Sequence, residues 1–224
     1  MPKTEPDIYV YKITADDGIA PCPQAGMLTL GVCKPAIRRT ASEGDYLVGI
    51  GSNVHYPDRL IYVAQIGKPI PGAIYYDPRG QYLRRRDCIY RLTATGSYRW
   101  VNHEGRRVHD PAIMPKQTNR DVGFCRSRPN AIVLPSRRFV YFGRDSANRS
   151  KAIWREFPKI LEKVAPLGQC HLVDHDQGFG KELFEFCESI LKRHWPGGPT
   201  LDKPHSAPQP GTCHDCGGRD RSRC

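Results

Sequence analysis

Two groups of polar side chains bracket one apolar run, and their types suit the holding of an anion or a base. Cys33, Lys34, Arg38 and Arg39 precede the run DYLVGIG, and Ser52, Asn53 and His55 follow it. Lysine and arginine both donate to phosphate, and arginine adds a planar fork and a stacking face. A strand that ends in Gly51-Ser52-Asn53 leaves small hydrogen-bonding groups where a ligand can approach the backbone. Lys12, on the preceding apolar run, adds a cation. The expected nucleotide-binding set is therefore Lys12, Lys34, Arg38, Arg39, Ser52, Asn53 and His55. Arg38 and Arg39 are expected to reach the same mouth as Ser52. Tyr and Trp rings nearby can supply faces for base stacking.

The charge points the same way. The chain of 224 residues carries a formal net charge of +11. Between Arg79 and Arg144 stand 15 Lys and Arg against 4 Asp and Glu, and the remainder balances. Of those 15 cations 14 are arginine, so the excess is a local arginine-rich segment rather than a general property of the surface. A polyanion is the natural partner: DNA, RNA or a nucleotide. Arg84, Arg85, Arg86, Arg106, Arg107, Arg137 and Arg138 are the expected contacts to a nucleic-acid backbone. The plain alternative is a solvated basic segment.

Other reactive types have plain readings beside them. Asp16 and Asp17 precede Gly18, and paired acids can hold magnesium or move a proton; a turn accounts for them better. Asp45 after Gly44 reads as a turn residue. Cys33, among apolar neighbours, reads as a small buried side chain, and nothing raises the reactivity of Cys22 between two prolines. No phosphate-binding loop, serine-hydrolase elbow or zinc-protease helix motif occurs, and the deaminase pattern is absent. Cys213 and Cys216 have the spacing of half a zinc knuckle, with His205, His214 and Cys224 as further ligands. One such pair is a weak signal, so the expectation is a chain without cofactor and an idle tail. Zinc at Cys213 and Cys216 is the alternative.

The elements that must position these groups follow from periodicity. DIYVYKI, MLTLGVC, EGDYLVGIGS and RLIYVAQIGKPI read as strands, the last placing Leu60, Tyr62, Ala64 and Ile66 on one face. KPAIRRTA reads as a short helical element, and NVHYPD as a hairpin loop. From Pro71 to Arg128 the pattern weakens into irregular hairpins. NAIVLPSRRFVYFG gives two short strands. Thereafter the period changes: Ile153, Phe157, Ile160, Leu161 and Val164, then Leu183, Phe184, Cys187, Ile190 and Leu191, fall at helical spacing. Pro158 starts a second short helix there. Strands followed by helices predict an α+β domain rather than a parallel βαβ sheet.

No run of about 18 apolar residues occurs, so no membrane span is expected. The N-terminus lacks the apolar core of a signal peptide, and nine cysteines form no disulfide framework, which predicts a cytoplasmic protein with reduced thiols. One domain is expected over residues 7–195, with the arginine-rich segment 79–144 inside it. Residues 196–224, rich in Pro and Gly and poor in apolar residues, predict a flexible tail. The oligomeric state stays open.

The order YVYKIT, GIAP, LTLGVCKPAIRRTASEGDYLVGIGS, RLIYVAQI and, much later, VLPSRRFVYFG resembles the nucleotide modification associated domain family, the second of that name. The likeness spans Tyr9 to Leu167. It implies association with phage and bacterial nucleotide-modifying systems, without a defined reaction. More loosely, a Gly-Asp lead into an apolar strand that ends in a small polar residue is similar to PUA-like and EVE-type domains. That resemblance implies a partly closed β-barrel built from the N-terminal two thirds, with the C-terminal helices packed on it and a base held at its mouth. The combined expectation is recognition of nucleic acid or a nucleotide, with a modified base as the candidate ligand. The alternative is an enzyme that modifies or removes such a base.

Overall fold

The computed structural model describes residues 5–101, 109–113, 115–122, 131–167, 170–173 and 178–194. The apolar runs form the strands expected of them. β1 (Ile8–Ile13), β4 (Tyr46–Gly51) and β5 (Leu60–Gln65) lie at the centre of a five-stranded sheet ordered β10-β5-β4-β1-β11, with β10 at Arg138–Tyr141 and β11 at Cys170–Val173. β1 pairs in parallel with β4, and the other ladders are antiparallel. Between β1 and β4 the chain makes β2 (Cys22–Gln24), β3 (Met27–Leu30) and the short helix α1 (Pro35–Thr40). β2 and β3 belong to a second sheet ordered β2-β3-β9-β6, completed by β6 (Ile70–Pro71) and β9 (Ile132–Ser136). α2 (Gly72–Tyr75) precedes the arginine-rich segment, within which lie the hairpin β7 (Tyr90–Leu92) and β8 (Tyr98–Trp100), and α3 (Gln117–Asp121).

Side-chain alternation gives the large sheet two apolar faces, and each face needs a cover. Ile8, Val10, Val48, Ile50 and Val63 pack under α4 (Ala147–Glu156), α5 (Pro158–Val164) and α6 (Gly178–His194). Trp154 of α4 stacks on Phe186 of α6 at 5.6 Å. On the other face Tyr9, Tyr11, Leu47, Tyr62 and Phe139 meet Leu28 and Leu30 of β3, Leu134 of β9 and Ile37 of α1. A third core, around Val32, Tyr75, Tyr76, Ile89, Tyr90 and Val133, anchors the arginine-rich segment to the second sheet. The layers are helices, large sheet, small sheet.

Among the described residues the sheets do not close into a barrel: β10 and β11 are the two edges of the large sheet, and the small sheet is a separate layer. The chain crosses between layers where β9 gives way to β10, and Gly67 N–H donates to the Pro135 carbonyl at that corner. The fold is α+β, as the order of periodicities predicts, and the expected partly closed barrel is not borne out. One expected face also differs. Gly49 pairs with Tyr62 but Ile50 pairs with Leu60, so Ile61 is a bulge. The extra residue turns Leu60 toward the helices while Ile61, Tyr62, Ala64 and Ile66 face the small sheet. No helix among the described residues is long and apolar enough to cross a membrane.

Candidate functional site

β3 ends at Leu30 and α1 begins at Pro35, so Gly31 to Lys34 must reverse the chain sharply. Cys33 and Lys34 do so with φ of 58° and 43°, a left-handed conformation that side chains rarely adopt. Such strain persists only where surrounding bonds determine it. Here they come from Asp121, at the end of α3. The Cys33 N–H donates to Asp121 Oδ1 at 2.8 Å. Arg38, fully buried on α1, donates Nε to the Cys33 carbonyl at 2.7 Å, Nη1 to the Ile132 carbonyl at 2.9 Å and Nη2 to the Asp121 carbonyl at 2.5 Å. The buried arginine thus ties the turn, α3 and β9 into one unit.

Asp121 is saturated. Gln117 Nε2 also donates to Oδ1 at 3.1 Å, and Oδ2 accepts from the Tyr90 hydroxyl at 2.8 Å and pairs with His109 Nδ1 at 2.8 Å. Burial pushes this carboxyl upward, but His109, Arg38 and the hydrogen bonds outweigh burial and hold it below its ordinary value. Burial likewise opposes the charge on His109, yet Asp121 and the Cys33 thiol raise the imidazole well above its ordinary value. One thiol, one imidazole nitrogen and one carboxylate oxygen of Cys33, His109 and Asp121 lie within 4.8 Å of one another. Residues of these three types can hold a metal ion or run nucleophilic chemistry.

Next to this centre, Lys34 Nζ sits 5.0 Å above the Tyr11 ring, and the Tyr62 hydroxyl donates to the Tyr11 hydroxyl at 2.7 Å. Asp16 is buried against the Tyr141 hydroxyl, 2.6 Å away, and the Arg144 N–H, at 2.8 Å; burial raises its pKa. Asp17 accepts from the Ile19 N–H, and Asp45 from the N–H groups of Asp7 and Ser42. Asp17 and Asp45 make local turn contacts, whereas Asp16, also read as a turn residue, ties its loop to the chain at Tyr141 and Arg144.

The residues that bracket β4 divide between places. Lys12 Nζ reaches Asn53 Oδ1 at 3.4 Å, and burial lowers its pKa. Ser52 is buried, and its Oγ accepts the His55 N–H at 3.2 Å, fixing the turn after β4. Asn53 and His55 are exposed there. A Cβ at Gly51 would strike the carbonyl of Tyr56, so the chain itself fills the approach expected for a ligand. Arg38 does not reach that mouth, because its guanidinium is spent on three carbonyls. Arg39 is exposed on α1.

The arginines of the charged segment divide as well. Arg85 is buried: it donates to the carbonyls of Gln24, Cys22 and Met27 and to the hydroxyls of Thr29 and Tyr75, beside Asp87. Arg86 donates to the Asp17 carbonyl, and Arg84 is exposed. Arg106 and Arg107, like Cys213 and Cys216, lie outside the described residues. Arg138 forms a bidentate pair with Glu188 at 2.7 and 2.8 Å, and Arg137 is exposed beside it. Both line a cleft of about 570 Å³ with Lys68, Tyr82, Gln65 and Glu43. Tyr82 stacks on Tyr75 at 4.7 Å, which fixes its ring.

A family model described as Nucleotide modification associated domain 2 matches residues 5–165. No curated protein matches, and no solved structure matches. The matched span contains Cys33, His109, Asp121, the cleft's Arg137 and Arg138, and the whole arginine-rich segment. The chain belongs to that family, whose description ties it to nucleotide modification.

Proposed function

We propose that this member of the nucleotide modification associated domain 2 family recognises a nucleotide or nucleic acid in a nucleotide- or DNA-modification setting. The observation that carries this reading is the cleft where β9 passes into β10. Arg137 and Lys68 are exposed there, so their charges are solvated and available to phosphate. The partly exposed Tyr82 adds a flat apolar face of the kind on which a base stacks. Glu188 holds Arg138 in a fixed fork, which supports the positioning of the rim rather than a loose charge cloud. The exposed Arg79, Arg84 and Arg99 extend the cationic surface of the same segment.

The test is binding of short labelled single-stranded and duplex oligonucleotides, and of free nucleotides, to the purified chain at about 50 mM salt. Arg137→Ala and Lys68→Ala are each expected to weaken binding of every sequence alike, as phosphate contacts do. Tyr82→Ala is expected to weaken single strands more than duplex, by about 1–3 kcal/mol. Unchanged affinity in all three variants, with their folds intact, removes the cleft from the interface.

A further inference from the structure

We propose that Cys33 is a nucleophilic thiol that attacks the carbonyl carbon of an amide or ester, with His109 as its general base and Asp121 positioning the imidazole. This is an activity beyond ligand recognition and does not depend on the cleft: Met27 of the cleft lies at the start of β3, and Cys33 lies beyond its other end.

Three independent features carry it. The first is the constellation itself, in which a thiol and a carboxylate both address one imidazole. The second is presentation. Cys33 stands on a strained strand-to-helix turn, the backbone device that thrusts a nucleophile forward from a sheet. Neither Cys33 nor Lys34 is glycine, so the strain is carried by a side chain the site retains. The third is contrast. Cys22, Cys88 and Cys187 are buried and burial raises each of them, Cys88 to about 11. Cys33, unlike those three, is partly exposed. A metal is the competing use of these three residues. Asp121 argues against it, because its two oxygens already take four hydrogen bonds and a carboxylate has about four acceptor sites.

The chemistry closes without another reagent than water. His109, its Nδ1 paired with Asp121, already holds the thiol proton as an imidazolium, and the Cys33 thiolate Sγ bonds to the carbonyl carbon as the C=O pair moves onto oxygen. The C=O re-forms, the bond to the amine or alkoxide breaks, and His109 returns the proton to that leaving group. Water, losing a proton to His109, adds to the thioester carbon. Collapse of that adduct releases the carboxylic acid, and the sulfur leaves with the proton. The raised imidazole agrees with a histidine that holds the thiol proton until the leaving group takes it.

p-Nitrophenyl acetate tests this on the full chain. A burst of p-nitrophenolate is expected, with the acetyl group located on Cys33 by peptide mass spectrometry. His109→Gln should slow acetylation of Cys33 by about 10²-fold or more. Asp121→Asn should move the pH profile of that acetylation, which a purely structural loss would not do. Three outcomes overturn the proposal: Cys33 unlabelled while other thiols react, Cys33 labelled in folded His109→Gln as fast as in the parent, or tightly held zinc whose removal alone exposes the thiol. If His109→Gln does not fold, the parent protein decides. Acetylation of Cys33 that climbs with pH only as a free thiol does, around pH 8.5, as expected of an unassisted cysteine at roughly that value, also overturns it.

Discussion

Arg38 gives its guanidinium to three carbonyls and is fully buried. Replacing it with Met keeps much of the length and removes every donor. Each orphaned buried acceptor costs about 1–3 kcal/mol. Arg38→Met is therefore expected to lower stability by roughly 3 kcal/mol or more, read from the urea midpoint at constant slope. A loss within about 0.5 kcal/mol, the usual range for exposed sites, would mean the carbonyls find other partners. His109 gives a pH signature. The groups addressing it are Asp121 and the Cys33 thiol, while Tyr90 and Arg38 act on Asp121. His109 is held above its ordinary 6.5, so its stabilisation is complete below that pH and is lost as pH rises through the folded value. Asp121 is held below its ordinary 3.8, so its stabilisation is present above that pH and is lost as pH falls through the folded value. The stability gap between parent and His109→Gln should thus be widest in the weakly acidic range and shrink toward alkaline pH. A gap independent of pH across that range would contradict an imidazolium at this position.

At the level of elements, the close approach of Tyr56 to Gly51 fixes how β4 ends. Gly51→Ala drives a methyl into a main-chain carbonyl that cannot rotate away, so the turn from Ser52 to Tyr56 must open. The expected cost is about 1–3 kcal/mol by thermal or urea unfolding. An Ala variant as stable as the parent would show that this turn has room to move. The same stretch shows what sequence alone can resolve. Strands β1, β3, β4 and β5 and helices α4 to α6 were legible, because each shows one period over enough residues. The bulge at Ile61 was not, since a single inserted residue leaves local composition unchanged and only the partner strand reveals it. The partly closed barrel was not legible for a related reason: whether sheet edges meet depends on strand order, which period does not encode. Cys33 and Arg38 were singled out by type, but their roles were not. Arg38 bonds to residues 83 and 94 positions away, and His109 and Asp121 lie where apolar periodicity is weakest. A histidine without a pattern around it reads as surface until the fold brings an acid and a thiol to it.

Across the whole molecule, the charge and the tail set the remaining expectations. The family match ends at residue 165, yet Leu183, Phe186, Cys187 and Ile190 of α6 sit in the core against the large sheet. Folding therefore needs the chain to about residue 194, and the segment from 196 onward has too few apolar residues to add to it. Deleting 196–224 should leave Tm unchanged; a drop of several degrees would assign that segment a share of the core. Salt dependence follows from where the arginines point. The segment from Arg79 to Arg144 carries a net +11 by sequence. Arg85 is consumed inside the fold and Arg138 by Glu188, so fewer cations face solvent than the composition implies. Oligonucleotide affinity should fall steeply between about 50 and 200 mM salt, because each neutralised phosphate releases counterions. Arg137→Ala should reduce the log–log slope by about one contact. Arg85→Ala should act differently, lowering stability through its buried carbonyl partners before it touches the slope. Equal slopes for the parent and Arg137→Ala would place the phosphate path elsewhere on the arginine surface. A flat response in the parent would exclude a polymer ligand and leave the free nucleotide as the partner of the cleft.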